Sequence, residues 1–321
     1  MLELKNIKMV FDSRGIAGIH GIDLSLKPGE VISILGPNGS GKTTLLRIIH
    51  REIQASGDLS LDGQTHFFKM TEPLDDVSVQ DFLISKINDF SDDEKKTQLA
   101  RDLADLFEFT SQFRHKIHQL SAGQRQKILV AAELIQRPKI LLMDEPFSHM
   151  DPISRDEILR SLFKYIRRHN MSVLWVTHDR EEAFKYSDRI GIMNFGKWEQ
   201  IGVPADIIRL PRTLFAAQFL GYKNFLSVKY DQGWITPWGI LDLPAGEKSE
   251  AILVMPESWS ETSDGPEFLV LRTYPSASGI FCDFEGLDRI FTALFPIDQL
   301  PDFKKPLTLT PNLRRSFLIA W

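Results

Sequence analysis

Gly36-Pro37-Asn38-Gly39-Ser40-Gly41-Lys42-Thr43 stands between a short apolar run, Val31 to Leu35, and a helix-like segment, Thr43 to His50. The octapeptide fits the phosphate-loop pattern G-x-x-x-x-G-K-[ST], and a buried strand before it with a helix after it is the context that pattern requires. Its glycines let the backbone curl so that successive N–H groups point at phosphate oxygens. The helix that follows presents the positive end of its dipole to the same anion. Lys42 has the reach for β- and γ-phosphates, and the Thr43 hydroxyl is a hard ligand suited to Mg²⁺. Thr44 joins the same set of phosphate-site candidates.

Outward from this loop the chain alternates strands and helices. Ile22, Leu24 and Leu26 alternate with polar residues, as in a half-buried strand. Ile140 to Met143 and Val173 to Val176 are short apolar runs that read as buried strands, so the expected fold is a mainly parallel α/β sheet. Residues 73–125 or so carry apolar positions at helical spacing (Phe82, Leu83, Ile87, Leu99, Leu103, Leu106) and read as a helical insert. Asp144-Glu145 closes the Ile140 strand. Ligands in an open α/β sheet sit beyond the C-terminal strand ends. Asp144 is therefore placed to hold a Mg²⁺ shell, and Glu145 to polarise an attacking water.

After about residue 225 the texture changes. Short β-prone runs appear at Ile252–Met255, Phe268–Leu271, Ile280–Phe284, Ile290–Leu294 and Leu307–Leu309, separated by Pro and Gly. They suggest a small all-β domain over 226–321. Residues 1–225 carry thirty basic and thirty acidic side chains and 226–321 carry eight and thirteen, so the net charge of -5 sits in the last third. Neither part has the basic excess of a nucleic-acid binder. A single cysteine, Cys282, excludes a disulfide framework and fits a reducing compartment. No signal-peptide core stands at the N-terminus, and no uncharged apolar run nears the roughly 18 residues that span a bilayer. A soluble protein is expected, with any membrane role supplied by a partner.

Leu120-Ser121-Ala122-Gly123-Gln124 lies ahead of the acidic strand. Ser121 is a good helix N-cap in its own right. The segment also resembles the signature motif of ABC ATPases, commonly LSGGQ, with Ala122 in place of a glycine. Ser148-His149-Met150-Asp151 resembles that family's D-loop, and Trp175-Val176-Thr177-His178-Asp179 its switch-histidine region. Phe11 matches the aromatic residue that stacks on adenine. The resemblance implies a P-loop NTPase domain over 1–225, followed by an oligomer-binding-fold-like β domain. It implies ATP and Mg²⁺ as cofactors, and a head-to-tail homodimer in which Ser121, Ala122, Gly123 and Gln124 of one copy face the nucleotide held by the other. Asp151 would cross the dimer interface, and His178 would hold the γ-phosphate, the water and Glu145 in place.

One position departs from the family. A glutamine that ligates Mg²⁺ is expected about nine residues before a Ser/Thr-Val pair; the pair here is Ser78-Val79, and the matching residue is Lys69. An ammonium there is repelled by a divalent cation. Either Lys69 swings away, or Thr71 or Glu72 supplies an oxygen instead.

Asp188-Arg189-Ile190, Gln200-Ile201-Gly202-Val203-Pro204 and Phe219-Leu220-Gly221-Tyr222-Lys223-Asn224-Phe225 resemble importer ATPases for ferric iron, polyamines, molybdate, sulfate or sugars. Met255-Pro256-Glu257-Ser258-Trp259 is similar to a segment of their C-terminal domains, without its arginine. The likeness implies an ATPase that energises membrane permease subunits from the cytoplasmic face of the inner membrane, as a peripheral protein, with a solute-binding protein acting through the permease. A soluble ABC ATPase acting elsewhere and a regulatory nucleotide-binding module are the competing readings. Trp234, Trp238, Trp259 and Trp321 read as fillers of a small β core; an aromatic ligand pocket is the alternative.

Overall fold

The computed structural model describes the chain apart from residues 12–17, 70–75, 88–91, 223, 228, 231–233, 237–238, 242–248, 254–258, 263–266, 277–278, 287–288, 298–299, 302–304, 312–316 and 321. Thr71, Glu72, Trp238, Trp321 and the segment Met255 to Ser258 lie outside the described residues. The chain divides into two compact units, Met1–Pro204 and Ala205–Trp321.

The first unit holds strands β1 (Leu2–Val10), β2 (Gly18–Leu26), β3 (Val31–Leu35), β4 (Ser56–Leu61), β5 (Thr65–Phe67), β6 (Ile140–Asp144), β7 (Ser172–Val176), β8 (Arg189–Asn194) and β9 (Lys197–Gly202). Between them run helices α1 (Lys42–Ile49), α2 (Val79–Ser85), α3 (Asp93–Leu106), α4 (Ala122–Leu134), α5 (Pro152–Arg168) and α6 (Arg180–Tyr186). A six-stranded sheet has the order β5-β6-β7-β3-β8-β9, parallel except for the β8–β9 hairpin. A separate antiparallel sheet, β2-β1-β4, carries the alternating N-terminal segments.

The apolar runs follow from burial on both faces of a parallel sheet. Side chains alternate along a strand. Val31, Leu141, Met143, Val173 and Trp175 enter one core with the insert helices and α5. Ile32, Ile34, Ile140, Leu142, Leu174 and Val176 enter another with α1 and the antiparallel sheet. A polar residue on either face would cost a core contact, so five consecutive apolar or small positions are needed at β3. Each fully buried aliphatic side chain contributes about 1.5–3 kcal/mol.

Helix starts follow capping chemistry. The Asp92 carboxylate accepts from the Glu94 and Lys95 amides at 3.0 and 3.4 Å, and the Ser78 hydroxyl from Asp81 N–H at 3.1 Å. Asp151 caps α5, with Pro152 fixing the first turn.

In the second unit, a five-stranded antiparallel sheet runs in the order Trp259–Glu261, Leu307–Pro311, Glu267–Ser276, Gly279–Gly286, Arg289–Phe295. Two three-stranded antiparallel sheets accompany it. Trp259, Phe268, Phe284 and Phe291 are all buried and meet edge-on or tilted at centroid distances of 5.0–6.0 Å, apart from the stacked Phe284–Phe291 pair. Trp259 is therefore a core residue. Buried Asn224 explains the close of the Phe219–Phe225 stretch: its amide donates to Thr292 C=O at 2.6 Å, and its Oδ1 accepts from Thr292 N–H at 2.7 Å.

Candidate functional site

β3 and β6 end at the same edge of the sheet, and the loop after each carries a predicted motif. Gly36 is closed in: a Cβ there would lie 2.2 Å from the Met193 carbonyl oxygen, so no other residue fits. Gly41 caps α1 at φ 102°, in the left-handed region that glycine enters freely. Between them the loop turns back on itself. Ser40 N–H donates to Pro37 C=O at 3.2 Å, and Gly196 N–H donates to Ser40 C=O at 2.9 Å.

Lys42 is buried, and its ammonium donates to the carbonyls of Gly36 and Pro37 at 2.9 and 2.8 Å. Burial pulls its pKa down, while Glu145 and Asp144 oppose that shift. Asp144 is pushed the other way: burial raises it, a hydrogen bond from Thr43 lowers it, and neighbouring Glu145 raises it again. The Thr43 hydroxyl and the Asp144 carboxylate thus form one oxygen cluster beside a buried cation.

Glu145 sits at φ 47°, a strained setting for a side chain with a Cβ. Its N–H donates to Val176 C=O at 3.0 Å, so the tie between the ends of β6 and β7 imposes the turn. His178, just beyond β7, has its Nδ1 3.6 Å from the Glu145 carboxylate. A frame that the sequence did not reveal supports this histidine. Asp179 caps α6; Arg155 reaches Asp179 at 2.9 Å and Glu182 at 2.7 Å; the Thr177 hydroxyl donates to Glu182 at 3.2 Å.

A cleft of about 990 Å³ opens over this edge. Phe11, Asn38, Gly39, Gly41, Lys42, Thr43, Thr44, Asp144 and Glu145 all border it, while Gly36 and Ser40 are buried in the loop. Lys69 is on its wall too; its N–H donates to buried Glu133 at 3.3 Å. Phe195, in the β8–β9 turn, borders the cleft without belonging to any motif. Ser121, Ala122, Gly123 and Gln124 are elsewhere on the surface. There Ser121 and Gln124 form a capping box, with Gln124 N–H donating to the Ser121 hydroxyl at 3.3 Å and Ser121 N–H to the Gln124 amide oxygen at 3.0 Å. Asp151 is likewise a cap, accepting from Ser154 N–H at 3.0 Å. One copy therefore unites the phosphate loop, the acidic pair and Phe11, and leaves the signature segment facing outward.

A family model described as ABC transporter matches residues 19–148. The spermidine/putrescine import ATP-binding protein PotA of Nostoc sp. is 34% identical over 310 residues, covering 89% of this chain and 79% of that protein. The chain belongs to the ATP-binding subunits of ABC transporters. The glycine betaine/carnitine/choline transport ATP-binding protein OpuCA of Bacillus subtilis is 32% identical over 250 residues, covering 72% of this chain and 65% of that protein. Among solved structures, a dimeric ATP-binding cassette in a post-hydrolysis state with ADP and Pi is similar at TM-score 0.52 and 26% identity, over 64% of this chain and 99% of that one. As an ABC ATPase, the chain binds and hydrolyses ATP and energises a membrane transporter together with its permease components. Among the described residues of this ABC ATPase, no helix is long and apolar enough to cross a membrane.

Proposed function

We propose that the cleft is the hydrolytic site, with Lys42 and the Gly39–Thr44 backbone holding the ATP phosphates, Glu145 acting as general base, and His178 positioning the attacking water. The convergence of a buried cation, two carboxylates and a helix N-terminus on one cleft carries this reading. Phe11 takes the adenine face. The donors suit Mg²⁺: Thr43 and Asp144 offer hard oxygens, and this ion takes few protein ligands and fills its shell with water and phosphate oxygens. Bound there, it would neutralise charge on the phosphates. Lys42 shares that work as a point charge, and Glu145 accepts the proton of the attacking water while His178, close to its carboxylate, restrains it.

The outward-facing signature segment is accounted for by a head-to-tail homodimer, in which the N-terminus of α4 completes the partner's site and Asp151 lies at the interface. The likeness to importers supports a role in uptake, at the cytoplasmic face of the membrane, with a solute-binding protein delivering cargo to the permease. Cargo is chosen by those partners and not by this chain.

The dimer is tested by Ser121→Arg. A guanidinium at the exposed start of α4 should block nucleotide-driven dimerisation, leave ADP binding to the monomer intact and lower turnover about 10²-fold or more, as loss of a preorganised anion donor does. Light scattering with ATP and a phosphate-release assay read the two effects; a dimer that persists with full turnover refutes the arrangement. Lys69 opposes a divalent ion electrostatically, so Lys69→Gln should raise kcat up to about tenfold, or 1.4 kcal/mol of barrier. An unchanged or lower kcat removes Lys69 as a brake.

A further inference from the structure

We infer that Phe195 is a second aromatic wall of the base subsite, so that the purine of the bound nucleotide contacts Phe195 as well as Phe11. This rests on the reading of the cleft as the nucleotide site and adds a base-contacting residue to it.

The β8–β9 hairpin pairs Asn194 with Lys197 and closes in two residues, Phe195 and Gly196. Both have positive φ, 42° and 71°. Such a two-residue turn strongly favours Asn-Gly, Asp-Gly or Gly-Gly. A phenylalanine there gives up turn stability and is unusual for a bulky side chain. Its ring gains no core burial in return, being 74% exposed. What the position offers is the cleft, whose wall includes Phe195, Phe11 and Gly18.

The turn is also held firmly. Gly196 N–H donates to Ser40 C=O in the phosphate loop, and Gly196 C=O accepts from His20 N–H, both at 2.9 Å. A Cβ on Gly196 would fall 2.1 Å from the Gly18 carbonyl oxygen, so the turn seats directly on the start of β2. Phe195 is thereby fixed to the same loop that binds phosphate. Phe11 is 60% exposed on the same cleft. A single exposed phenyl is ordinary on a protein surface. Two on one cleft beside a phosphate loop match the chemistry of a purine, which stacks on aromatic rings through either face.

The test separates base from anion. Calorimetric titration of the full chain with ADP and with pyrophosphate compares wild type, Phe195→Asn, Phe195→Tyr and Lys42→Ala. Asparagine suits the turn, so folding is retained. Phe195→Asn should weaken ADP about tenfold, within the range for loss of a stacked aromatic, and leave pyrophosphate unchanged. Phe195→Tyr should restore ADP affinity. Unchanged ADP affinity in Phe195→Asn beside weakened binding in Lys42→Ala overturns the base contact alone and leaves the ring as a surface for another protein. Equal loss of ADP and pyrophosphate in Phe195→Asn also overturns it, because the effect then runs through the loop. Unchanged binding of both ligands in Lys42→Ala overturns the nucleotide site itself.

Discussion

Glu145→Gln leaves the chain binding ATP and cuts hydrolysis by about 10²–10⁴-fold, the span that a positioned general base contributes. The substitution is nearly isosteric, and the backbone at 145 is held by the Glu145 N–H to Val176 C=O bond, which an amide side chain does not disturb. The amide can still hydrogen-bond His178 or the water, but it accepts no proton. The Lys42 cradle is untouched, so nucleotide affinity stays. In the proposed homodimer opening waits on hydrolysis, so the closed dimer should accumulate with ATP. Phosphate release and size-exclusion chromatography with Mg-ATP measure both consequences. Wild-type turnover in this variant would remove Glu145 from its role; lost turnover without lost ATP binding is what the geometry requires.

How far the site could be read beforehand depended on what each residue answers to. The phosphate loop was legible because each of its backbone constraints leaves a glycine in a short local pattern: the close approach of the Met193 carbonyl at Gly36 and a left-handed φ at Gly41. The core strands were legible because burial on both sides leaves continuous apolar runs at Val31–Leu35 and Ile140–Met143. The cap at Ser121 was legible because it too is written in a short local pattern. Ser121 was read both as an N-cap and as a signature residue, and the capping box bears out the first.

The missed features are those made by distant segments. Phe195 joins the cleft only because β8 lies beside β3, which no local pattern announces. The Arg155–Asp179–Glu182 frame spans two helices and carries no fixed spacing. The strain at Glu145 comes from a hydrogen bond to a different strand. In the second unit Trp259 was foreseen as a core residue, while the partner of Asn224, a strand sixty-eight residues away, was not.

Lys42→Ala should produce the largest loss of all, because it strikes binding and chemistry together. A charge-assisted hydrogen bond contributes about 1.5–3 kcal/mol, so ATP affinity should fall about 10- to 150-fold. The same cation faces charge that grows on the phosphates during transfer, and loss of such a donor lowers turnover by a further 10²–10³-fold or so. Two side effects could mimic this and are separable. The ammonium also bonds the Gly36 and Pro37 carbonyls, so its removal takes two hydrogen bonds from the loop. The loop keeps its Ser40–Pro37 and Gly196–Ser40 backbone bonds, however, and Pro37 is already open to solvent. Melting should therefore shift by no more than the few degrees that about 1 kcal/mol produces in a unit of this size. The second side effect is electrostatic. With the cation gone, Asp144 loses a neighbour that lowers its pKa, while the larger lowering effect of the hydrogen bond from Thr43 remains. Replacement by methionine instead of alanine keeps the buried stem and removes only the charge. If Lys42→Met loses ATP as fully as Lys42→Ala while both melt near wild type, the ammonium itself is the phosphate ligand; if Lys42→Met binds ATP normally, the loop backbone suffices and the role given to Lys42 is wrong.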